Sequence, residues 1–178
     1  MSLLTTITET ANDAHLRFLI AGGHAVIAHG YARTTFDVDL IVPRGDRDPW
    51  LRLANGLGYT LHHEGSTFVQ LNPDAGDGMP LDLMLVNPET FEKLVADSVP
   101  APTGVPRARV VSLRNLLALK CHAIKHGHPG RIVKDADDVL NLLQINRVDL
   151  NEPEVRDIFL KHGTSEFYEK AKRICSTV

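Results

Sequence analysis

The chain has 178 residues, of which 43% are hydrophobic and 23% are charged. This is the composition of an ordinary globular protein with one sizeable core or two small lobes. A formal net charge of -3 excludes a general basic field that would hold nucleic acid non-specifically. No apolar run approaches the roughly 20 residues of a membrane helix, and the first residues lack the basic start of a signal peptide. The two cysteines, Cys121 and Cys175, form no CxxC pair, which is typical of reduced thiols, and we predict a cytoplasmic protein.

The first half of the sequence alternates helical and strand-like segments. In chain order we predict a helix over about residues 5–17, a strand in RFLIAGG, a short helix in HAVIAHGYA, a strand in FDVDLIVP, a helix in DRDPWLRLANGLGY, hairpin strands in YTLHHEG and STFVQLNP, and a strand in PLDLMLV. Gly30 is expected to end the second of these helices. Asp48 is expected to cap the third, with Pro49 in its first turn.

The second half has a helical pattern throughout. Apolar residues recur at spacings of three and four in SLRNLLALKCHAIKHG, KDADDVLNLLQ, EPEVRDIFLKHG and SEFYEKAKRI. The sequence therefore predicts an α+β fold class: an N-terminal α+β lobe over residues 1–98, followed by a C-terminal helical lobe over residues 99–178. The segment from Pro100 to Pro106 is the expected seam, and the short linker favours two lobes that share one cleft.

Three acidic residues interrupt apolar strands. Asp37 and Asp39 flank Val38, so their side chains share one face of the predicted strand. Two close carboxylates repel each other and lose hydration, and a divalent cation relieves both costs. Asp82 lies in the same way inside PLDLMLV. If the two strands are neighbours, the three carboxylates converge into a site suited to Mg²⁺ and to phosphoryl transfer.

A glycine pair precedes the acids. Gly22 and Gly23 lie where a strand passes into a helix, so that the backbone can approach a ligand closely. The amides at the start of a helix favour an anion such as a phosphate. Taken singly, these signals are weak: a GG pair is usually a turn, a DxD pair can be solvated surface, and Asp82 can be an edge charge. Their combination favours a site for a metal–nucleotide complex.

This combination resembles the nucleotidyltransferase superfamily with the polymerase-beta-like fold. The stretch AGGHAVIAHGYARTTFDVDLIV is similar to the minimal bacterial branch related to AbiEii-type toxins, in which an arginine and a threonine shortly precede the paired acids; here these are Arg33 and Thr35. The helical half resembles that branch through Lys120 and the pair Lys134-Asp135. His24 departs from it, because many members have serine or another small residue after the glycines. The resemblance covers roughly residues 15–145 and implies a mixed sheet flanked by helices.

The resemblance also implies roles for individual residues. Asp37, Asp39 and Asp82 would be the catalytic residues and bind Mg²⁺ or Mn²⁺, with Asp82 helping to activate the acceptor hydroxyl. The nucleotide-binding residues would be Gly22, Gly23, Arg33, Thr35, Lys120 and Lys134. The glycines would hold the triphosphate, and the basic side chains are candidates for neutralising it. In-line transfer of this kind depends mainly on positioning and electrostatics.

Two other clusters have alternative interpretations. His122 and His126 are four residues apart and could share a zinc ion on one helical face, but an exposed basic helix end is the favoured interpretation. The acids Asp135, Asp137 and Asp138 could complement a helix dipole, or a carboxylate among them could hydrogen-bond to Lys120 or Arg131. Both are favoured over metal binding. The sequence contains no Walker-type loop and no GxGxxG motif.

The sequence therefore predicts a Mg²⁺-dependent nucleotidyltransferase that moves a nucleoside monophosphate from an NTP such as ATP to a hydroxyl and releases pyrophosphate. The acceptor is an RNA, a protein or a small molecule. The resemblance suggests a toxin with an antitoxin protein as partner. The alternatives are an antibiotic nucleotidyltransferase and a non-catalytic nucleotide-binding or partner protein with the same fold, although three intact acids argue against the latter.

Overall fold

The computed structural model describes residues 2–76 and 78–175, which form two compact units. Among these residues, the first unit consists of residues 2–28, 33–76 and 78–112, and the second of residues 29–32 and 113–175. The chain thus changes units after Ser112, whereas the sequence suggested a division after Ser98. The reason is that residues 99–100 and 109–110 form two short strands of the first unit's sheet.

The first unit contains a seven-stranded sheet and four α-helices among the described residues. Its elements are α1 (Leu3–Asp13), β1 (Leu19–Ile20), α2 (Gly22–Ala28), β2 (Val38–Pro43), α3 (Arg47–Gly56), β3 (Tyr59–Glu64), β4 (Phe68–Pro73), β5 (Leu81–Val86), α4 (Pro88–Asp97), β6 (Val99–Pro100) and β7 (Arg109–Val110). A short 3-10 turn over Arg44–Asp46 precedes α3.

The sheet is mixed, with the strand order β3-β4-β5-β2-β1-β7-β6. Strand β2 runs parallel to β5, and β1 runs parallel to β7. The other neighbouring pairs are antiparallel. The predicted α+β fold with a mixed sheet and flanking helices is confirmed, and β2 and β5 are neighbours at the centre of the sheet.

Along β4 and β5, alternation separates a buried face of the sheet from a partly exposed face. On β5, Leu81, Leu83 and Leu85 are buried, whereas the residues between them are partly exposed. On β4, Val69 and Leu71 are buried in the same way. The leucine and valine rows stabilise the sheet by excluding water from one face. The intervening residues, which include Asp82, are therefore left on the other face.

Two features of this unit differ from the sequence interpretation. Helix α4 was not predicted, although Asn87 caps it by accepting a hydrogen bond from the Thr90 amide at 2.8 Å, and Pro88 opens its first turn. The predicted cap of α3 was wrong: Asp46 precedes the helix, and Asp48 lies within the first turn, where it pairs with Arg47. An acid there still complements the helix dipole.

The regular elements of the second unit are all α-helices in the part that the structure describes. Its elements are α5 (Leu113–His126), α6 (Pro129–Ile145), α7 (Pro153–His162) and α8 (Ser165–Cys175). Helix α6 begins at Pro129 rather than at Lys134, with His128 as its cap. The KDADD acids therefore do not open the helix, and they lie too far from its free amides to complement the dipole.

Residues 29–32 are attached to α6. The Tyr31 hydroxyl donates a hydrogen bond to Asp137 at 2.7 Å, and the Asn146 amide donates one to the His29 carbonyl at 3.0 Å. These contacts explain why a short segment of the first half belongs to the helical unit. Over residues 2–76 and 78–175, no helix has the length and apolar character needed to cross a membrane.

Candidate active site

Asp39 and Asp82 lie on the partly exposed face of the sheet, and Asp37, directly before β2, converges with them. Asp39 and Asp82 are register partners on the parallel strands β2 and β5. One carboxylate oxygen from each of the three acids lies within 4.8 Å of the others. In the described part of the chain, this is the only group of three or more histidine, cysteine, aspartate or glutamate side chains arranged in this way. The convergence expected from strand alternation is present.

Neighbouring groups orient the two acids of the DxD pair. The Thr35 hydroxyl donates a hydrogen bond to Asp37 Oδ1 at 2.7 Å. The backbone amide of Gly23 donates one to Asp39 Oδ2 at 3.3 Å. Because each donor restricts the rotation of a carboxylate, the pair is held in place in spite of its like charges. The sequence marked Thr35 for the nucleotide, and the structure shows its contact with Asp37.

The glycine pair leaves room for these side chains. Gly22 has a φ of +51°, a conformation that favours glycine. A Cβ atom at Gly22 would overlap the Asp39 carboxylate, and one at Gly23 would overlap the Thr35 hydroxyl. The glycines therefore allow the paired acids to approach the start of α2. Their predicted contact with a triphosphate stays a prediction.

Arg33 and His24 lie close to the glycine turn. Arg33 Nη1 is 3.3 Å from the position that a Cβ atom at Gly23 would take. Its guanidinium therefore lies beside the glycine pair, where the sequence predicted that phosphate binds. Burial lowers the pKa of His24; Asp37 opposes this effect and Arg33 adds to it. The imidazole is therefore neutral near pH 7, and its Nε2 atom is buried without a hydrogen-bond partner. His24 thus supplies little positive charge for a phosphate.

Lys120 and Lys134 lie in the helical unit. The Lys120 ammonium is 2.6 Å from Asp135 Oδ1 and 2.6 Å from Asp138 Oδ2, and all three side chains are at most 7% exposed. Arg131 also pairs with Asp135, at 3.4 Å. The hydrogen bond from Lys120 to an acid of the KDADD segment was one of the expected alternatives. Lys120 is thus fully engaged by carboxylates, whereas Lys134 is exposed on α6.

The predicted histidine pair is adjacent but incomplete as a zinc site. The His122 and His126 rings lie 4.5 Å apart, centroid to centroid, at a tilt of 48°. No third histidine, cysteine or carboxylate joins them at ligand spacing among residues 2–76 and 78–175. Because a structural zinc site has four protein ligands, the non-metal interpretation of this helix end is favoured.

Gln70 was missed by the sequence interpretation. It lies on β4 directly across from Asp82, and its side-chain amide donates a hydrogen bond to Asp82 Oδ1 at 3.1 Å. The only sequence signal was its position between the apolar residues Val69 and Leu71, which placed it on the face opposite the core. Nothing in that pattern indicated that β4 pairs with β5 in this register.

The donor set fits a divalent cation. The carboxylate oxygens of the three acids lie close enough together to bind one or two Mg²⁺ ions. Mg²⁺ prefers carboxylates together with substrate phosphates as ligands. Asp37, Asp39 and Asp82 are the residues that would hold it. The hydrogen bonds from Thr35, Gly23 and Gln70 provide the surrounding support that metal ligands commonly have.

Comparison with solved structures identifies the fold. The chain is similar to ANT(2'')-Ia in complex with adenylyl-2''-tobramycin (TM-score 0.53, 19% identity, 98% of this chain and 96% of that chain). It is similar to the lincosamide antibiotic adenylyltransferase LnuA bound to lincomycin (0.56, 16%, 80% and 95%). A third similar structure is an antigenic nucleotidyltransferase-like protein from Paracoccidioides brasiliensis (0.59, 12%, 98% and 90%). No family model and no curated protein sequence matches the chain.

These likenesses show that the chain has the nucleotidyltransferase fold, as the sequence predicted. Two of the three acids, Asp39 and Asp82, lie on the central strands β2 and β5, and Asp37 lies next to them as the residue directly before β2. These similar structures are nucleotidyltransferases of several kinds. They do not indicate the AbiEii-type branch in particular.

Proposed function

We propose that the protein is a Mg²⁺-dependent nucleotidyltransferase that transfers a nucleoside monophosphate from an NTP to an acceptor hydroxyl and releases pyrophosphate. The observation that carries this proposal is the convergence of Asp37, Asp39 and Asp82, at the start of β2 and on its neighbour β5, beside a glycine turn. Three carboxylates within 4.8 Å of one another are costly in a protein that does not bind a cation there.

The arrangement suggests a division of tasks among the residues. Asp37 and Asp39 would hold the cation that accompanies the nucleotide, and Arg33 beside the glycine turn would offset phosphate charge. Asp82 lies on the far side of Asp39 from β1, since the strand order is β5-β2-β1. We assign to Asp82 the task that the sequence resemblance implied, which is to help activate the acceptor hydroxyl. A bound divalent cation would stabilise the negative charge that develops on the transferred phosphoryl group.

The acceptor is an RNA, a protein or a small molecule. A small-molecule acceptor is the second, more specific candidate, because two of the similar structures are antibiotic-modifying enzymes with antibiotic or adenylylated antibiotic bound. A role as a toxin with an antitoxin partner stays a prediction that rests on the sequence resemblance alone.

The test uses NTPs labelled at the α-phosphate, with Mg²⁺ and with tRNA, aminoglycosides, lincosamides and the protein itself as acceptors. We expect label to move to one acceptor class with stoichiometric release of pyrophosphate, and we expect Asp39→Ala to abolish this transfer. Asp46→Ala, in the 3-10 turn outside the site, is the matched control. Transfer that survives Asp39→Ala would contradict the assignment, and NTP binding without transfer would favour the non-catalytic alternative.

A further inference from the structure

A row of polar residues crosses the sheet at the level of the acidic site. Asp39 on β2 is the register partner of Asp82 on β5, and Asp82 is the register partner of Gln70 on β4. A register shift in β3 then places His63 opposite Gln70. The row thus continues the candidate site across four neighbouring strands, and Gln70 is the first residue beyond the three acids.

The fold determines the orientation of Gln70. Val69 and Leu71, on either side of it, are at most 2% exposed and point into the core. Because side chains alternate along a strand, Gln70 must lie on the partly exposed face that carries Asp82. Its amide is within hydrogen-bonding distance of Asp82 Oδ1, at 3.1 Å. This contact is therefore a consequence of strand register and does not depend on a flexible loop.

We propose that Gln70 is a positioning residue that holds the Asp82 carboxylate in the orientation in which it binds a divalent cation. The inference rests on the proposed function and deepens it, because it adds a residue through which Asp82 acts. Thr35 and the Gly23 amide hold Asp37 and Asp39 in the same manner. With Gln70, each acid of the triad has a hydrogen-bond donor from the protein.

A neutral amide suits this position for an electrostatic reason. A lysine or arginine opposite Asp82 would neutralise the carboxylate and compete with the cation. An aliphatic side chain would remove the restraint that this hydrogen bond places on the carboxylate, so that binding a cation would require a larger loss of conformational freedom. The glutamine amide restricts rotation and leaves the negative charge in place.

The experiment measures Mn²⁺ binding to the protein itself, by the loss of the free-ion electron paramagnetic resonance signal during a titration. Gln70→Met keeps an unbranched side chain of similar length and removes the donor, and Gln70→Leu is a second variant in case the first folds poorly. Asn72→Leu, two residues along the same face of β4, is the matched control. Thermal melting without metal establishes that each variant is folded.

We expect Gln70→Met to weaken Mn²⁺ binding about 10-fold, the usual scale for the loss of a group that orients a metal ligand. Asn72→Leu should bind as the wild type does. In an Asp82→Asn background, the Gln70 substitution should cause no further loss, because its effect passes through Asp82.

Two results would overturn the inference alone. In the first, Gln70→Met and Gln70→Leu bind Mn²⁺ as tightly as the wild type although Asp82→Asn binds it weakly. In the second, the Gln70 substitution weakens Mn²⁺ binding equally in the wild-type and Asp82→Asn backgrounds. A wild-type protein that binds no Mn²⁺, or binds it no better than Asp37→Asn and Asp82→Asn, overturns the proposed function together with the inference. The two failures are therefore distinguishable.

Discussion

The Asp39 carboxylate occupies the space that a side chain at residue 22 would need. Gly22 has a φ of +51°, and any Cβ atom built there overlaps the carboxylate. In the same way, a Cβ atom at Gly23 would overlap the hydroxyl of Thr35, the residue that orients Asp37. The glycine pair and the DxD pair are therefore one structural unit, although about a dozen residues separate them in the sequence.

Substitution of either glycine should damage both the fold and the site. We expect Gly22→Ala to lower the free energy of unfolding by roughly 1–2 kcal/mol from backbone strain alone, and by more because Asp39 must move. Gly23→Ala should weaken Mn²⁺ binding through displacement of Thr35. The measurements are urea denaturation and Mn²⁺ titration. Gly45→Ala, where nothing lies within 4 Å of the added atom, is the control, and an equal effect there would contradict this account.

Lys120 should be required for the stability of the helical unit. Its ammonium lies between Asp135 and Asp138, which are 6% and 0% exposed. We expect Lys120→Met to cost about 3–5 kcal/mol, because it removes the buried cation that compensates both carboxylates. Adding Asp138→Asn should recover part of the loss.

The control for this prediction is Lys125→Met, an exposed lysine on the same helix, which should change stability by no more than about 0.5 kcal/mol. Denaturation is measured without nucleotide. A loss confined to nucleotide binding, with unchanged unfolding, would instead support the phosphate-binding role that the sequence resemblance implied for Lys120.

The two cysteines should differ in reactivity. Burial raises the pKa of the Cys121 thiol to about 12 from its ordinary 9.0, so its thiolate fraction near pH 8 is roughly 10³-fold smaller than that of an ordinary cysteine. Cys175 is only partly buried. We expect a thiol reagent to label one cysteine rapidly in the native protein, and that fast phase to vanish in Cys175→Ser. Rapid native labelling that persists in Cys175→Ser would show that Cys121 is accessible.

His24 should make stability depend on pH on the acidic side of neutrality. Burial lowers the pKa of His24 in the folded state below 6.5, so the unfolded chain binds this proton more readily. The contribution of His24 to the free energy of unfolding is therefore fully present above the unfolded pKa of 6.5. It decreases as the pH falls from there towards the lower pKa of the folded state. We expect His24→Gln to reduce this slope in denaturation experiments between about pH 5 and pH 7.5.

The matched control for His24 is His62→Gln, an exposed histidine on β3, which should leave the slope as in the wild type. The same slope in wild type and His24→Gln would show that burial of this imidazole does not disfavour its charged form. Burial lowers the pKa of His162 as well, so we expect a residual slope of the same sign after His24 is replaced.

The acids of the site could be predicted because a carboxylate inside an apolar strand is visible in sequence. Asp37, Asp39 and Asp82 each break a hydrophobic pattern, and strand alternation assigns them a face. Gln70 could not be predicted in the same way, because a partly exposed glutamine on a strand is common and its value depends on the register between β4 and β5. Strand register is a long-range property that the local pattern does not contain.

The fold was predictable where periodicity was strong and less so at element boundaries. Helix α4 was missed because its segment follows a strand directly, and Asn87-Pro88 was interpreted only as the end of that strand. Strands β6 and β7 have two residues each, too few for an alternating pattern to appear. The start of α6 was misplaced because His128 is an uncommon cap.

The chain passes between its two units three times, after Ala28, after Ala32 and after Ser112. A single cut therefore cannot yield two complete modules. A fragment that ends at Ser112 would retain Tyr31 but lose its partner Asp137, and the isolated helices would lack residues 29–32. Replacing the helical unit with that of another protein would also require replacing those four residues. They lie directly before the segment that contains Arg33, Thr35 and Asp37. Replacement of the helical unit would therefore also change the chain segment that leads into the acidic site.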